Sequence, residues 1–325
     1  MMIGYGPGTK DVNKHNRVFD NHIHHCGEIY WHSQMITAFQ SGHNHIAHNH
    51  VHHVPRKAVC MSGVRDHFLK DGETDRRECV NTIRWKEIGK AITHEALLPF
   101  LHARHNVVEY NNIHHVLEKL GDGAAINLSG TGVGNIVRFN YVHDIPAPHA
   151  TCGIRMDEDQ TETFIENNVI VNLGVGGIVP KQKNTLRNNF IIQVCNHGND
   201  GLIRALGGGN GGLSTIRHNI FYNTHANRDF YTRHNIDAYR QEEMGKSIDY
   251  NVYWCAGMSM ENWLDLTLFK NKGADKHSVF ADPLFVDWKN GVFTLKPESP
   301  ALRLGIKQVD ISGAGLTGAF PDEWR

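Results

Sequence analysis

A dense group of ionisable residues lies near the middle of the chain: Arg155-Met156-Asp157-Glu158-Asp159, with Asp122 between two glycines upstream and Lys181 and Arg204 downstream. Carboxylates beside cations titrate apart, so one carboxyl can stay protonated while another remains an anion. Cleavage of a glycosidic bond uses such a pair, with carboxyl groups about 5–5.5 Å apart for retention and about 6.5–9.5 Å for inversion. Elimination from a uronate uses instead a Lys, Arg or His base and a cation that neutralises the acid group. Arg155, Lys181 and Arg204 suit that chemistry as well, and Ca²⁺ would be its expected cofactor. A plain structural salt bridge is the third reading of the same residues, worth little energetically when exposed.

Histidine is the second excess, at 24 residues. His24-His25, His52-His53 and His114-His115 occupy the third and fourth places after an asparagine, and His143-Asp144 repeats the position one unit later. Zinc motifs such as His-Glu-x-x-His are absent, and so are Cys-x-x-Cys pairs among the six cysteines. Stacked turn residues are therefore expected, and no metal site. His115 is the best single candidate for substrate contact, because its unit also carries Asp122.

What could bring these residues together is a repeat. An aliphatic residue, two variable positions and Asn recur at Asn21, Asn49, Asn111, Asn140, Asn168, Asn189, Asn219 and Asn251, mostly 28 to 32 residues apart. Between them lie short β-branched runs broken by Gly and Asn, with no stretch patterned for a long helix. About thirty residues make one coil of a parallel β solenoid, in which equivalent side chains stack at the spacing of neighbouring strands, roughly 4.8 Å. The fold expected is all-β: a right-handed single-stranded parallel β-helix of about nine coils, one domain over 1–325, with a charged loop insertion at 64–79 and a C-terminal capping segment at 277–325. The 62-residue gap from Asn49 to Asn111 has room for two coils plus that insertion. Ile83-Arg84-Trp85-Lys86 would then be the missing phrase.

Alignment of the coils puts Ile126, Ile154, Ile178 and Ile203 in one inward column and Asn127, Arg155, Val179 and Arg204 in an outward one. Ser41, Ser62, Ser129, Asp157, Lys181 and Leu206 form a further column that alternation would turn inward. Charges in a dry core are costly, so the strand is expected to bend at Asp157 and Lys181, letting them reach solvent and pair. With 33 basic and 34 acidic residues there is no basic stripe for nucleic acid, and no apolar run approaches a membrane span.

The whole chain resembles bacterial right-handed parallel β-helix repeat proteins of carbohydrate metabolism, including the β-helical glycoside hydrolase family with α-L-fucosidase and xylanase activities. The carrying segments are Asn49-His50-Val51-His52-His53, Leu120 to Asn127, Asn140 to Asp144, Arg155 to Gln160, Asp282 to Asp287 and Ser299 to Leu302. The resemblance implies hydrolysis of a plant-type polysaccharide or oligosaccharide by aspartates on neighbouring coils, matched here by Asp122 and Asp157 with Asp159 as alternate. His115, Asn127, Arg155, Glu158, Lys181 and Arg204 would then place the sugar. A polysaccharide lyase and a non-catalytic glycan-binding solenoid are the alternatives, and a monomer is expected. Family members carry an export signal and work outside the cytoplasm, whereas Met1 to Lys10 shows no signal-peptide core.

Overall fold

The short β-branched runs form strands of two to seven residues, and nearly all pair in parallel. In the computed structural model, which describes residues 1–4, 12–63, 93–146, 151–158, 160–174, 176–194, 213–224, 241–262 and 264–324, they build three parallel sheets of six, eight and nine strands. The chain visits the sheets in rotation, an arrangement consistent with a parallel solenoid. Ile126 pairs with Ile154, and Ile154 with Ile178, in the first sheet, and the same phase holds in the others. These isoleucines are fully buried in one continuous core with Val137, Ile165, Val142 and Ile170 from the other two sheets. The few helices are short, such as Gln241–Ser247 and Leu264–Asn271.

Each repeated asparagine occupies the same turn. The residue before it is left-handed in all eight cases, with φ from 51° at Tyr110 to 59° at Tyr250, a strained region for side chains other than Gly and Asn. The asparagine stabilises the turn. Asn111 donates from its side-chain nitrogen to Asn140 Oδ1 on the next coil (2.9 Å) and to the Glu109 carbonyl two residues back (3.0 Å), and its backbone N–H donates to the same Asn140 oxygen. The chain of amides runs unbroken from Asn21 to Asn251, then ends on Ser278, which accepts from the Asn251 N–H. A second ladder runs five residues earlier in each coil, through Asn16, Asn44, Asn106 and Asn135, and again at Asn184, which Ser214 caps. That ladder escapes the phrase search because Thr163 interrupts it.

Three expectations change. Asn49 bonds directly to Asn111, and His45–Ala47 pairs with Val107–Glu109, so the residues on either side of the 62-residue gap stand on neighbouring turns and not on turns two apart. Ile83 to Lys86 and the 64–79 insertion lie outside the described residues. The bend at Asp157 is not needed either. Thr151–Asp157 is one strand, and Asp157 shares the outward phase of Arg155 two residues earlier, just as Ser129 shares that of Asn127. Ser41 leaves the column: Phe39, not Ser41, lies opposite Ser62, and Ser41 hydrogen-bonds Asn13 and Asn44 in the second ladder.

The C-terminal segment does more than cover an end. Val279–Phe280 adds an edge strand beside Val252–Trp254, and the chain then runs back along the outer face of the third sheet. Phe285, Phe293, Leu295 and Ile306 pack on Val169, Phe190, Ile220 and Val252. Further on, Lys307 meets Asn188, Gly313 meets His48, Thr317 meets Asp20 and Trp324 meets His50. This face of the early coils is polar where that of the later coils is aliphatic, which is why the tail is apolar first and hydrogen-bonded last.

Candidate functional site

The outer face of the first sheet collects most of the ionisable residues singled out above. Arg155, opposite Asn127, spreads its guanidinium between two acids: Nη1 donates to Asp122 Oδ1 at 2.9 Å and Nη2 to Asp157 at 3.1 Å. Lys181 Nζ lies 3.1 Å from Asp157 on the other side. Asp122 enters at the start of Gly123–Ser129 and Asp157 ends Thr151–Asp157, so the two acids come from opposite ends of neighbouring strands and converge only through the arginine. Bonds to the two terminal nitrogens of one guanidinium limit their oxygens to a separation of no more than about 8 Å, a ceiling compatible with both retaining and inverting glycosidase pairs.

The electrostatics are those of a satisfied ion cluster. The hydrogen bond from Arg155 draws the Asp122 carboxyl below its ordinary value, outweighing partial burial. Burial pushes the Asp157 carboxyl up, but the charges of Arg155 and Lys181 prevail and hold it below the usual range. Burial alone would lower the Arg155 pKa, yet its two acids carry it upward. Both carboxyls are anions at neutral pH, so the expected split into one acid and one anion is absent from the resting cluster. The two differ in exposure: the Asp122 side chain is 86% exposed, that of Asp157 only 17%.

Beside this cluster lies an unsatisfied group. Asn127 is fully buried, and among the described residues neither its Nδ2 nor its Oδ1 has a hydrogen-bond partner; the buried Ser129 Oγ also lacks one there. Orphaned buried polar atoms cost about 1–3 kcal/mol each, which marks them as strain or as unfilled binding capacity. Lys57 adds to the set. Its pKa is lowered, chiefly by burial, with Arg56 and Arg155 also disfavouring the charge, and Gly123 leaves room for its stem, since a Cβ there would sit 3.0 Å from Lys57 Cε. Arg56 donates to the Asp122 carbonyl at 3.4 Å. Neither was picked out from the sequence, yet Lys57 stands two places before Val59 as Ala124 stands two before Ile126, and Val59 pairs with Ile126.

The remaining candidates divide. Glu158 supplies its backbone N–H to Asp157 at 3.0 Å. Val179 is buried with Ala124 and Cys152 on the outward side of the strand. Asp159 and Arg204 lie outside the described residues. His115 belongs to the histidine ladder of the third sheet: it stacks on His53 at 4.8 Å, and its Nδ1 is 2.8 Å from that of His114. Among the described residues no hydrogen bond or ring contact joins it to Asp122. A surface hollow lined by Arg217, Lys246, Asp249, Tyr250, Lys276 and His277 also lies away from the cluster, with Arg217 and Asp249 on the second sheet.

The ladder brings together what short-range spacing hid. His24, His52 and His114 stack face to face at 5.2 and 4.9 Å, and His25, His53 and His115 form a parallel column. Within it one ring nitrogen each of His22, His50 and His52 converges within 4.8 Å. No metal ligands were expected, because the motif search covers neighbours in sequence and these side chains come from adjacent coils 28 residues apart. No helix among the described residues is long and apolar enough to cross a membrane. Comparison with family models, curated proteins and solved structures gave no match, so the functional reading rests on the chain's own residues.

Proposed function

We propose that the chain is a carbohydrate-active enzyme, a glycoside hydrolase built on a right-handed single-stranded parallel β-helix of about nine coils, with its site on the outer face of the first sheet around Arg155. The right hand follows from the strong preference of parallel crossovers for that sense. The observation that carries the functional reading is the pair of carboxylates that share one arginine, Asp122 exposed at the surface and Asp157 shielded behind it. Asn127 and Ser129, buried beside them and without a partner among the described residues, would meet a sugar only where it displaces what covers them.

In this reading Asp157, shielded and flanked by cations, is the anion that acts as nucleophile or base. Asp122, exposed and held low mainly by its bond to Arg155, becomes the acid when a bound sugar both takes that guanidinium away and covers the carboxyl, because desolvation raises a carboxyl above its ordinary value and lets it take a proton from solvent. A plant-type polysaccharide or oligosaccharide is the substrate class, with Lys181 and Arg155 as its positioning cations. Release of reducing ends is the direct test: Asp157→Asn should lower the rate by about 100-fold or more while the fold persists, as loss of one acid–base partner does. Unchanged turnover in that variant would remove the assignment.

A second reading, a polysaccharide lyase, is favoured by one observation: Lys57 is a buried lysine of lowered pKa beside Arg155, a base next to a cation suited to a uronate carboxylate. The two reactions separate cleanly, because elimination leaves an unsaturated, ultraviolet-absorbing end and hydrolysis does not. Lys57→Met should abolish that absorbing product if the lyase reading holds.

A further inference from the structure

Histidines 22, 50 and 52 stand on the outer face of the third sheet, on strands His22–His24 and His50–His52, which pair in register beneath the end of the C-terminal tail. Their geometry is unlike that of a stack of turn residues. His22 Nε2 lies 2.7 Å from His52 Nε2, and His50 Nε2 lies 2.9 Å from His114 Nε2, so rings on adjacent coils are joined by N–H···N hydrogen bonds, each with one nitrogen donating and the other accepting through its lone pair. His50 is 6% exposed, and the Trp324 ring lies 5.3 Å from His22.

The hydrogen bonds select the tautomer a ligand needs. The carbonyl oxygen of Trp324 can only accept, so His50 Nδ1, 2.5 Å away, carries the proton, and the Nε2 of the neutral ring is a lone pair that accepts from His114 Nε2–H until an ion takes that proton's place. This is the outer-shell arrangement by which backbone carbonyls orient metal-binding imidazoles. His52 Nδ1 is likewise engaged, 2.7 Å from His53 Nδ1, leaving its Nε2 toward His22. We propose that His22, His50 and His52 bind a divalent transition-metal ion of the zinc or copper(II) class through one ring nitrogen each, with the fourth position open to solvent.

Size agrees. With metal–nitrogen bonds of about 2.0–2.1 Å the edges of a zinc tetrahedron are about 3.4 Å, and the three nitrogens already lie within 4.8 Å of one another. An all-imidazole donor set suits zinc, copper or nickel and excludes calcium and magnesium, which want oxygen. Because His50 is anchored to Trp324, the ion would also tie the end of the tail to the first coils.

The test uses the full chain stripped of metal by chelator and titrated calorimetrically with zinc and with copper(II). One tight equivalent is expected. His52→Gln and His22→Gln should each weaken it by more than about 100-fold, beyond the loss typical of an outer-shell change. His24→Gln, in the same ladder but outside the triad, should leave it intact. Copper(II) should quench tryptophan emission, and Trp324→Phe should remove that quenching even if the calorimetric signal of another variant is clouded by folding. No saturable binding, binding that survives His52→Gln, or equal loss in His24→Gln would each overturn the proposal.

Discussion

Two outer sheet faces of the same molecule handle polar side chains in opposite ways. On the first sheet Asp122, Arg155, Asp157 and Lys181 neutralise one another, so every charge is fixed by an opposite charge. On the third sheet His22, His50, His52 and His114 have no carboxylate within their own hydrogen-bonded set and remain uncharged by burial and mutual repulsion. A charged cluster is locked until a ligand competes for it, whereas a neutral cluster is responsive to protons and cations. The same spacing, near 5 Å, gives a salt-bridge network in one case and a set of hydrogen-bonded imidazoles in the other.

The strongest way to break this contrast is to remove the shared cation. Arg155→Met leaves Asp157 with Lys181 as its remaining ion-pair partner in a half-shielded site, and should cost about 2–4 kcal/mol of stability in urea unfolding, since stripping one partner from a shielded pair leaves uncompensated charge. The Asp122 carboxyl should move back toward its ordinary value in that variant, measurable by NMR titration. If stability is unchanged, the cluster is not the interlocked unit described here.

A smaller effect should separate the faces by pH. His52 and His114 sit at about 3 when folded and near 6.5 when unfolded, so below 6.5 the unfolded chain binds more protons. Stability from this face is complete above about 6.5 and falls as pH drops from there toward 3. Asp122 and Asp157 have lowered values when folded, so their contribution holds above about 3.8 and is lost only as pH falls through the folded values. Urea midpoints between pH 7.5 and 5 should therefore decline in the parent protein and in Asp157→Asn, but less steeply in a His52→Gln, His114→Gln variant. The smallest effect is expected for Asp122→Asn. With 86% of its side chain exposed, its ion pair should add well under about 1 kcal/mol, so stability should barely change, whereas on the proposed hydrolase reading turnover should be lost.

Legibility differed between scaffold and site for a physical reason. The Asn phrase could be read because each turn imposes one demand on one position, a left-handed residue followed by an amide that satisfies the backbone and its neighbour above. The columns of the first sheet could be read from it, with Asp157 and Lys181 one coil apart and Asp122 nearby, but not that Arg155 bonds both acids. Alternation misassigned Asp157 only because its phase was counted from the wrong neighbour. Lys57 was passed over because it lies before its strand begins, and the second asparagine ladder because a threonine substitutes within it.

By itself the sequence determined the period, the inward isoleucines, the stacked histidines and the polar character of the outer face, since these follow from side chains repeated at a constant phase. Only the tertiary structure decided which coils touch across the 62-residue gap, that the tail turns back over the third sheet, that Asn127 is buried without a partner, and that three histidines turn their nitrogens together. Those outcomes depend on where the chain leaves and re-enters the stack and on what covers each face. A local repeat cannot encode them, because adjacency along the solenoid axis is set by hydrogen bonds between residues far apart in the chain.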